Sequence, residues 1–441
     1  MKFGMQRFFL DDKPFLYAES RWFSRNELFQ LATRKVASGY IKHRAIIQSS
    51  SDSVIDFFCE FIGCIISGAT FMPVTNKAGL RVSECINTLD KDAYLALFEL
   101  NSIRPVIVLS SGGTVSGGKA ILLSEEGLFR QAISFAKLSC SDTNSFYCSV
   151  SPKDYMAGIF NNFLVPLVSG GRVAWVNLAS PSANDLMVFE RFGGQFNRVV
   201  ATPFLLERLL RIDVLSGDHV ECMSTGARGT NRLVDLIANR KWSLSQAFGV
   251  TELGGSFSYE SCVERGKWDD QGTLIPEMKC RNIKDTSRLE FKNPLGALSV
   301  IDINGAIQNV KESWFQSGDL GTTERNRLSV VGRESEIVDR QGYLVALFYI
   351  EETAKEISGV LDAVCYLNNE TPPGRLKLYL VACSKAHQSK QFIVRVFRAL
   401  SEILDPWEMP DEIKLVERLP RTQAGKLLRG QLETIPEITY A

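Results

Sequence analysis

Residues 110–119, SSGGTVSGGK, are the stretch of this chain best suited to hold a charged ligand. Four of the ten are Gly, four are Ser or Thr, and the stretch closes on a Lys. Glycine lets a ligand approach the main chain, and successive N–H groups in such a loop can converge on an anion. The alternative is a Gly/Ser-rich surface loop that binds nothing. The stretch predicts a polyphosphate-binding loop built from Ser111, Gly112, Gly113, Thr114, Ser116 and Lys119.

The same loop satisfies the G-x-x-x-x-G-K pattern of P-loop NTPases between Gly113 and Lys119. That site needs Ser or Thr directly after the Lys to hold Mg²⁺, and a helix that starts at once. Residue 120 is Ala, and the apolar residues 121–123 that follow are typical of a strand. A P-loop NTPase stays an alternative against which these two features argue.

The composition limits the classes of function. With 441 residues, 45% of them hydrophobic, the chain predicts a globular protein of two or three domains. A formal net charge of zero gives no support to a nucleic-acid partner, and the longest apolar stretch is too interrupted to span a membrane. Ten Cys without paired spacing indicate free thiols in the cytoplasm. The three His lie away from every motif, which leaves Lys, carboxylates and the backbone to carry chemistry.

The elements that must position these groups alternate between apolar runs and amphipathic helices, which predicts parallel βαβ units. Strands are expected at 106–109, 120–123 and 173–176. Helices are expected at 51–68, capped by Ser51 or Ser53, and at 125–138, capped by Ser124. Residues 256–300 are expected to form a small β-rich subdomain, and the chain from 334 onward a separate α+β unit.

Further motifs follow one another in the order of a known family. They are GATFMPV at 68–74, PKDYMAG at 152–158, VVATP at 199–203, STGA at 224–227, AFGVTELG at 247–254, WFQSGDLG at 314–321, VGRESEIV at 331–338 and LPRTQAGKLLR at 419–429. Together with the loop at 110–119, which is similar to TSGTTGxPKG, they resemble the adenylate-forming superfamily of acyl-CoA synthetases, aryl-acid ligases and peptide-synthetase adenylation domains. The resemblance implies a large multi-layer α/β domain at 1–333 and a small mobile α+β domain at 334–441.

The resemblance also implies that ATP and Mg²⁺ are the cofactors. Phe248 would lie against the adenine ring, with the backbone of Gly226 and Ala227 on the same base. Thr251 would donate to the α-phosphate. Glu252 would help to hold Mg²⁺, a cation that prefers oxygen ligands.

Two charged residues near the end of the large domain and one in the small domain complete the implied site. Asp319 would accept hydrogen bonds from the ribose hydroxyls, and Arg333 would reach the ribose or the phosphate. Lys426 would be carried in on a mobile loop to offset the repulsion between a carboxylate and the α-phosphate. A lysine of ordinary pKa, about 10.4, is charged at neutral pH and would need no tuning. Ser335 stands at the pivot of this movement.

The implied reaction joins a carboxylic acid, aryl or acyl, to AMP and then to the thiol of CoA or of a phosphopantetheinylated acyl carrier protein. The acid pocket would be lined by Tyr155, Asn161, Thr225 and Gly254, and Gly254-Gly255 suggest a slot for a flat or slender acyl group.

The chain departs from the family pattern at several positions. Its phosphate loop has one extra residue, with Gly118 in place of Pro, and Glu125 replaces a His. Ser335 and Asp339 replace the usual charged pivot residue and a Lys in the hinge. These departures leave open a nucleotide-binding relative with impaired catalysis.

Overall fold

The computed structural model describes residues 5–74, 77–99, 103–110, 118–178, 181–238, 240–284, 286–302, 304–311, 313–340, 342–368 and 374–438. The predicted phosphate-loop residues Ser111, Gly112, Gly113, Thr114 and Ser116 lie outside these ranges. No helix within them is long and apolar enough to cross a membrane.

Strands are numbered in chain order. The first are β1 Pro14–Ala18, β2 Arg21–Ser24, β3 Ile46–Ser49, β4 Thr70–Pro73, β5 Pro105–Ser110, β6 Ala120–Ser124, β7 Phe146–Ser149, β8 Arg172–Trp175, β9 Arg198–Ala201, β10 Glu221–Thr225 and β11 Ser243–Val250. Then come β12 Gly255–Glu260, β13 Asp270–Leu274, β14 Lys279–Asn282, β15 Arg288–Lys292, β16 Ser299–Ile301, β17 Ile307–Asn309, β18 Phe315–Glu324 and β19 Arg327–Arg333. The last are β20 Ile337–Arg340, β21 Tyr343–Ala346, β22 Val360–Asn368, β23 Arg375–Ala382 and β24 Glu412–Leu415.

The helices begin where the sequence offers caps. Ser53, one of the two predicted caps, accepts from the Asp56 N–H, and the predicted cap Ser124 accepts from the Gly127 N–H. The helices are α1 Arg25–Ala37, α2 Val54–Ser67, α3 Lys77–Asn87, α4 Lys91–Tyr94, α5 Glu125–Leu138, α6 Val165–Ser169, α7 Ala183–Phe192, α8 Pro203–Ile212, α9 Asn231–Ala238, α10 Leu347–Glu356 and α11 Lys390–Ser401. A π-helical segment, Ala157–Leu164, leads directly into α6.

Two sheets make up most of the molecule. The described strands of the larger sheet run in the order β14-β15-β18-β19-β13-β12-β11-β10-β9-β7-β8-β1-β2, and those of the smaller in the order β17-β16-β6-β5-β4-β3. The pairs β7–β8, β7–β9, β9–β10 and β10–β11 are parallel, which confirms the predicted βαβ units. From β12 onward the larger sheet is antiparallel. The β-rich stretch at 256–300 therefore extends both sheets and does not form one of its own.

The sheets and helices stack in layers, because successive strand residues point to opposite faces. On β7, Tyr147 joins a core between the two sheets, which also holds Phe58 of α2 and Leu128 of α5. Cys148 joins a second core with Leu206 of α8 on the outer face of the larger sheet. A further cluster covers the outer face of the smaller sheet under α3. The predicted multi-layer α/β fold is confirmed.

The chain after β19 has its own core. Strands β20 and β21 form a hairpin, and β22, β23 and β24 form a three-stranded sheet. Their buried apolar side chains cluster with those of α10 and α11, from Val345 to Leu415, and the two cores of the larger sheet end at Val330. The predicted smaller α+β unit is thus present, with a hydrophobic core of its own. We call this unit, from β20 onward, the second body, and the chain up to β19 the first body.

Candidate active site

The end of β11 places the residues of the AFGVTELG motif. The strand stops at Val250, and Thr251 and Glu252 follow in a short 3-10 turn that Gly254 closes with a φ of 90°. The Ala297 N–H donates to the Glu252 carbonyl at 3.0 Å and fixes this turn. Both side chains are half-buried, so they can meet a ligand at the edge of the sheet.

Phe248 lies two residues before the end of the same strand and is half-buried. Its ring contacts Phe257 and Phe291, with centroids 5.5 and 6.2 Å apart. This packing holds the ring in place and leaves part of it uncovered. A flat apolar surface of this kind suits a flat base, as the motif predicts.

Asp319 and Arg333 face each other on neighbouring strands. They are paired in the β18–β19 register, and Nε of Arg333 donates to Oδ1 of Asp319 at 3.0 Å. The carboxylate of Asp319 raises the pKa of the Arg333 guanidinium. Asp319 is only 1% exposed, yet its Oδ2 is buried without a hydrogen-bond partner. Because a buried acceptor without a donor is costly, this oxygen fits a ligand hydroxyl, as the predicted ribose contact requires.

The STGA segment lies at the end of β10. Thr225 is buried at the end of the strand, and Gly226 and Ala227 are exposed after it. Gly226 has a φ of 80°, which favours glycine, and a Cβ at this position would lie 3.8 Å from Cε of Lys426. The exposed backbone here can therefore meet a base on one side and the lysine on the other.

The lysine loop, residues 421–427, is a tight hairpin. The Thr422 N–H donates to the Lys426 carbonyl at 2.8 Å, and the Lys426 N–H donates to Oγ1 of Thr422 at 3.1 Å. Gly425 has a φ of 82°, which turns the chain just before the lysine. The loop brings Lys426 from the second body to the ends of β10 and β11.

The surroundings of Lys426 shift the pKa of its ammonium group. Burial lowers the pKa of its ammonium group, the charge of Arg333 lowers it further, and Glu252 acts in the opposite direction. The expectation of an unperturbed lysine is therefore wrong for this structure. The structure brings together Lys426, Glu252, Arg333 and Asp319, which the sequence places in four separate motifs.

Lys119 is half-buried just before β6 and follows Gly118, which has a φ of 91°. Strands β5 and β6 pair antiparallel. This pairing agrees with the strand predicted after Lys119, where a P-loop would have a helix.

The predicted acid-pocket residues differ in their surroundings. Asn161 is 3% exposed, and its Oδ1 has no hydrogen-bond partner. A Cβ on Gly254 would lie 2.7 Å from Oε1 of Gln131, and one on Gly255 would lie 2.8 Å from the Phe160 ring. The space beside the two glycines is thus occupied by the side chains of Gln131 and Phe160, whereas the sequence suggested an open slot for the acyl group.

Tyr155 is half-buried in the PKDYMAG segment, just before the π-helical segment. Burial, together with the charge of Asp154, raises the pKa of the Tyr155 phenol.

The predicted pivot, Ser335, is exposed in a 3-10 turn between β19 and β20. Arg429 reaches this turn through Glu336 at 3.4 Å, and it also pairs with Glu351 of α10 at 2.6 Å. No role was predicted for Arg429, although it is the last specified residue of the LPRTQAGKLLR motif. Its two ion pairs connect the turn that contains Ser335 to α10.

Within the described ranges, no group of three or more His, Cys, Asp or Glu could hold a metal ion. A magnesium site would then take one carboxylate, that of Glu252, and phosphate oxygens. That division of ligands is usual for Mg²⁺ bound with a nucleotide.

No family model matches the chain. Among curated proteins it is similar to "Acyl-CoA ligase AKT1" of Alternaria alternata, with 22% identity over 76% of this chain and 63% of that protein. The chain therefore spans less than two thirds of that relative. It is also similar to a 2-succinylbenzoate–CoA ligase of Staphylococcus aureus, with 29% identity over 76% of this chain and 68% of the relative.

Solved structures with the same fold cover almost the whole chain. O-succinylbenzoate coenzyme A synthetase (MenE) from Bacillus subtilis, in complex with AMP, has a TM-score of 0.77 and 16% identity over 99% of this chain and 98% of its own. The ATP-bound RpMatB-BxBclM chimera B1 has a TM-score of 0.78 and 16% identity over 98% of both chains. With the layered arrangement described above, these likenesses show that the chain has the fold of these solved structures.

Proposed function

We propose that this chain is an ATP- and Mg²⁺-dependent ligase that joins a carboxylic acid to a thiol through an acyl-AMP intermediate. The observation that carries the proposal is the position of Lys426, from the second body, beside the backbone of Gly226 and near enough to Glu252 and Arg333 for their charges to shift its pKa. A site with these charges suits two anionic reactants that must approach each other.

In the first half-reaction a carboxylate oxygen attacks the α-phosphorus of ATP, and the bond to the leaving pyrophosphate breaks. Lys426 offsets the negative charge shared by the two reactants, and Thr251 donates to the α-phosphate. Asp319, through its unpaired oxygen, and Arg333 orient the ribose. Mg²⁺, held in part by Glu252, neutralises the phosphates when it is bound.

In the second half-reaction a thiol sulfur attacks the acyl carbon, AMP leaves, and the thiol proton passes to solvent. The second body, residues 334–441, would turn about Ser335 between the steps, since Lys426 serves only the first. The separate hydrophobic cores before Val330 and after Val345 support this division at residues 333 and 334. A movement of this kind is typical of enzymes that use one lid for two steps.

The acid would be an aryl or acyl acid, and Asn161 and Thr225 would line its pocket. The acceptor would be CoA or a phosphopantetheinylated acyl carrier protein. The ten cysteines are all free, which fits a protein of the reducing cytoplasm.

The proposal is tested by ATP–pyrophosphate exchange with a panel of aryl, acyl and amino acids. Exchange that depends on one aryl or acyl acid is expected, followed by thioester formation with CoA or carrier protein. Lys426→Ala should lower exchange by roughly 10³-fold and leave thioester formation from supplied acyl-AMP intact. Lys385, exposed on the second body, provides the control Lys385→Ala. Full exchange by Lys426→Ala, or exchange with amino acids alone, would contradict the proposal.

A further inference from the structure

Two side chains of the first body, the residues up to 333, contact the lysine loop. One is Thr202, which follows β9 and caps α8. Its Oγ1 donates to the Ala424 carbonyl at 2.7 Å, and both residues are at most 5% exposed. A hydrogen bond without access to water holds its partners more firmly than one at the surface. This contact fixes the backbone two residues before Lys426.

The second side chain is Phe204, in the first turn of α8. It is 39% exposed, and a Cβ on Gly425 would lie 2.7 Å from its ring. The Arg421 guanidinium covers the ring at 5.0 Å from the centroid, and this arginine also donates to the Gly425 carbonyl and pairs with Asp362. The ring therefore fills the space beneath the turn of the loop and meets a cation from the second body.

We propose that Thr202 and Phe204 form a seat that positions Lys426 for the first half-reaction and has no part in the second. The inference rests on the proposed function, because it assigns to the seat one step of that reaction. The two residues contact the lysine loop and not the reacting atoms. They act by setting the fraction of molecules in which Lys426 is in place, and the observed rate scales with that fraction.

The seat is tested with two variants, Thr202→Val and Phe204→Ala. Each should lower kcat for pyrophosphate exchange by about tenfold, as the loss of one well-formed contact would. The KM for the acid and the rate of thioester formation from supplied acyl-AMP should stay unchanged. Thr202→Ser, which keeps the hydroxyl, should restore most of the rate. Ile212→Ala removes an exposed apolar side chain from the same helix and serves as the control.

Hydrogen exchange of residues 420–428 gives a readout that needs no turnover. In the seat variants the amide hydrogens of these residues should exchange faster than in the wild type. In Ile212→Ala they should exchange at the wild-type rate. If the wild type catalyses no pyrophosphate exchange with any acid tested, the proposed function fails. Hydrogen exchange alone then decides whether the seat exists. Equal losses in both half-reactions, a raised KM for the acid alone, or unchanged hydrogen exchange would overturn the seat.

Discussion

The two sides of the candidate nucleotide site are built in different ways. On one side, Asp319 and Arg333 are neighbours across the β18–β19 ladder, and their pairing depends only on that sheet. On the other side, Lys426 reaches the site from a separate hydrophobic body, and contacts such as that between Thr202 and Ala424 hold its loop. The first arrangement persists as long as the sheet is folded. The second can be made and broken while both bodies stay intact.

This difference teaches how one site can serve two steps. Groups that must hold the nucleotide throughout are placed on the sheet, where their geometry does not change. The group needed in one step only is placed on a loop whose attachment is limited to a few contacts. Variants on the sheet side should therefore affect both half-reactions, and variants on the loop side only the first.

After Lys426→Ala, the largest loss is expected for Asp319→Asn, a variant on the sheet side of the site. The change removes the negative charge that pairs with Arg333 and weakens the buried acceptor left for the ribose. Hydrogen bonds to charged groups contribute about 1.5–3 kcal/mol, so the KM for ATP should rise roughly 10- to 100-fold. Thioester formation from supplied acyl-AMP should weaken as well, because the ribose is bound in both steps.

Steady-state kinetics of the two half-reactions, measured separately, check this expectation. Asp218→Asn, an exposed position on the first body, is the matched control. Loss confined to pyrophosphate exchange would contradict the division of the site into a permanent and a movable side.

The sheet side of the site could largely be predicted from the sequence. Thr251, Glu252 and Asp319 belong to motifs whose residues are neighbours in the chain, so the strand end that carries the motif also sets their placement. The lysine loop itself was predicted for the same reason. Its seat was not, because Thr202 and Ala424 are 222 positions apart and neither stretch alone indicates the other.

The pKa of Lys426 also could not be predicted from its motif alone. An isolated motif predicts a lysine of ordinary pKa, whereas burial and Arg333, from a different motif, lower it. The signal for the seat among the motifs was the TP step of VVATP, which the family pattern includes but for which no role was predicted. Local chemistry was therefore predictable, and contacts that join the two bodies were not.

Because the pKa of Lys426 is lowered, the two half-reactions should depend on pH in different ways. The ammonium form is the useful one, and it is lost as the pH rises through the pKa, which lies below that of an exposed lysine. The value of kcat/KM for pyrophosphate exchange, which reports the free enzyme, should thus fall at high pH. Thioester formation from acyl-AMP should show no such decrease from this group.

Lys426→Arg supplies the comparison, because a guanidinium stays charged over the same range. Its exchange rate should be lower at neutral pH, since its shape differs, but the decrease at high pH should disappear. A decrease of equal size at the same pH in both proteins would assign the titration to another group.

The smallest effect is expected at Glu356, where the two bodies also meet but away from the site. Its carboxylate accepts from Asn231 at 3.0 Å and pairs with Arg265 at 2.5 Å, and both charged side chains are at least 42% exposed. Exposed ion pairs contribute little and are screened by salt, so Glu356→Gln should lower pyrophosphate exchange at most about threefold. The loss should vanish as salt is added, which an exchange assay at two ionic strengths would detect. If Glu356→Gln lowered exchange as much as Phe204→Ala, and equally at high salt, the attachment of the lysine loop would depend on the whole surface between the bodies and not on its seat.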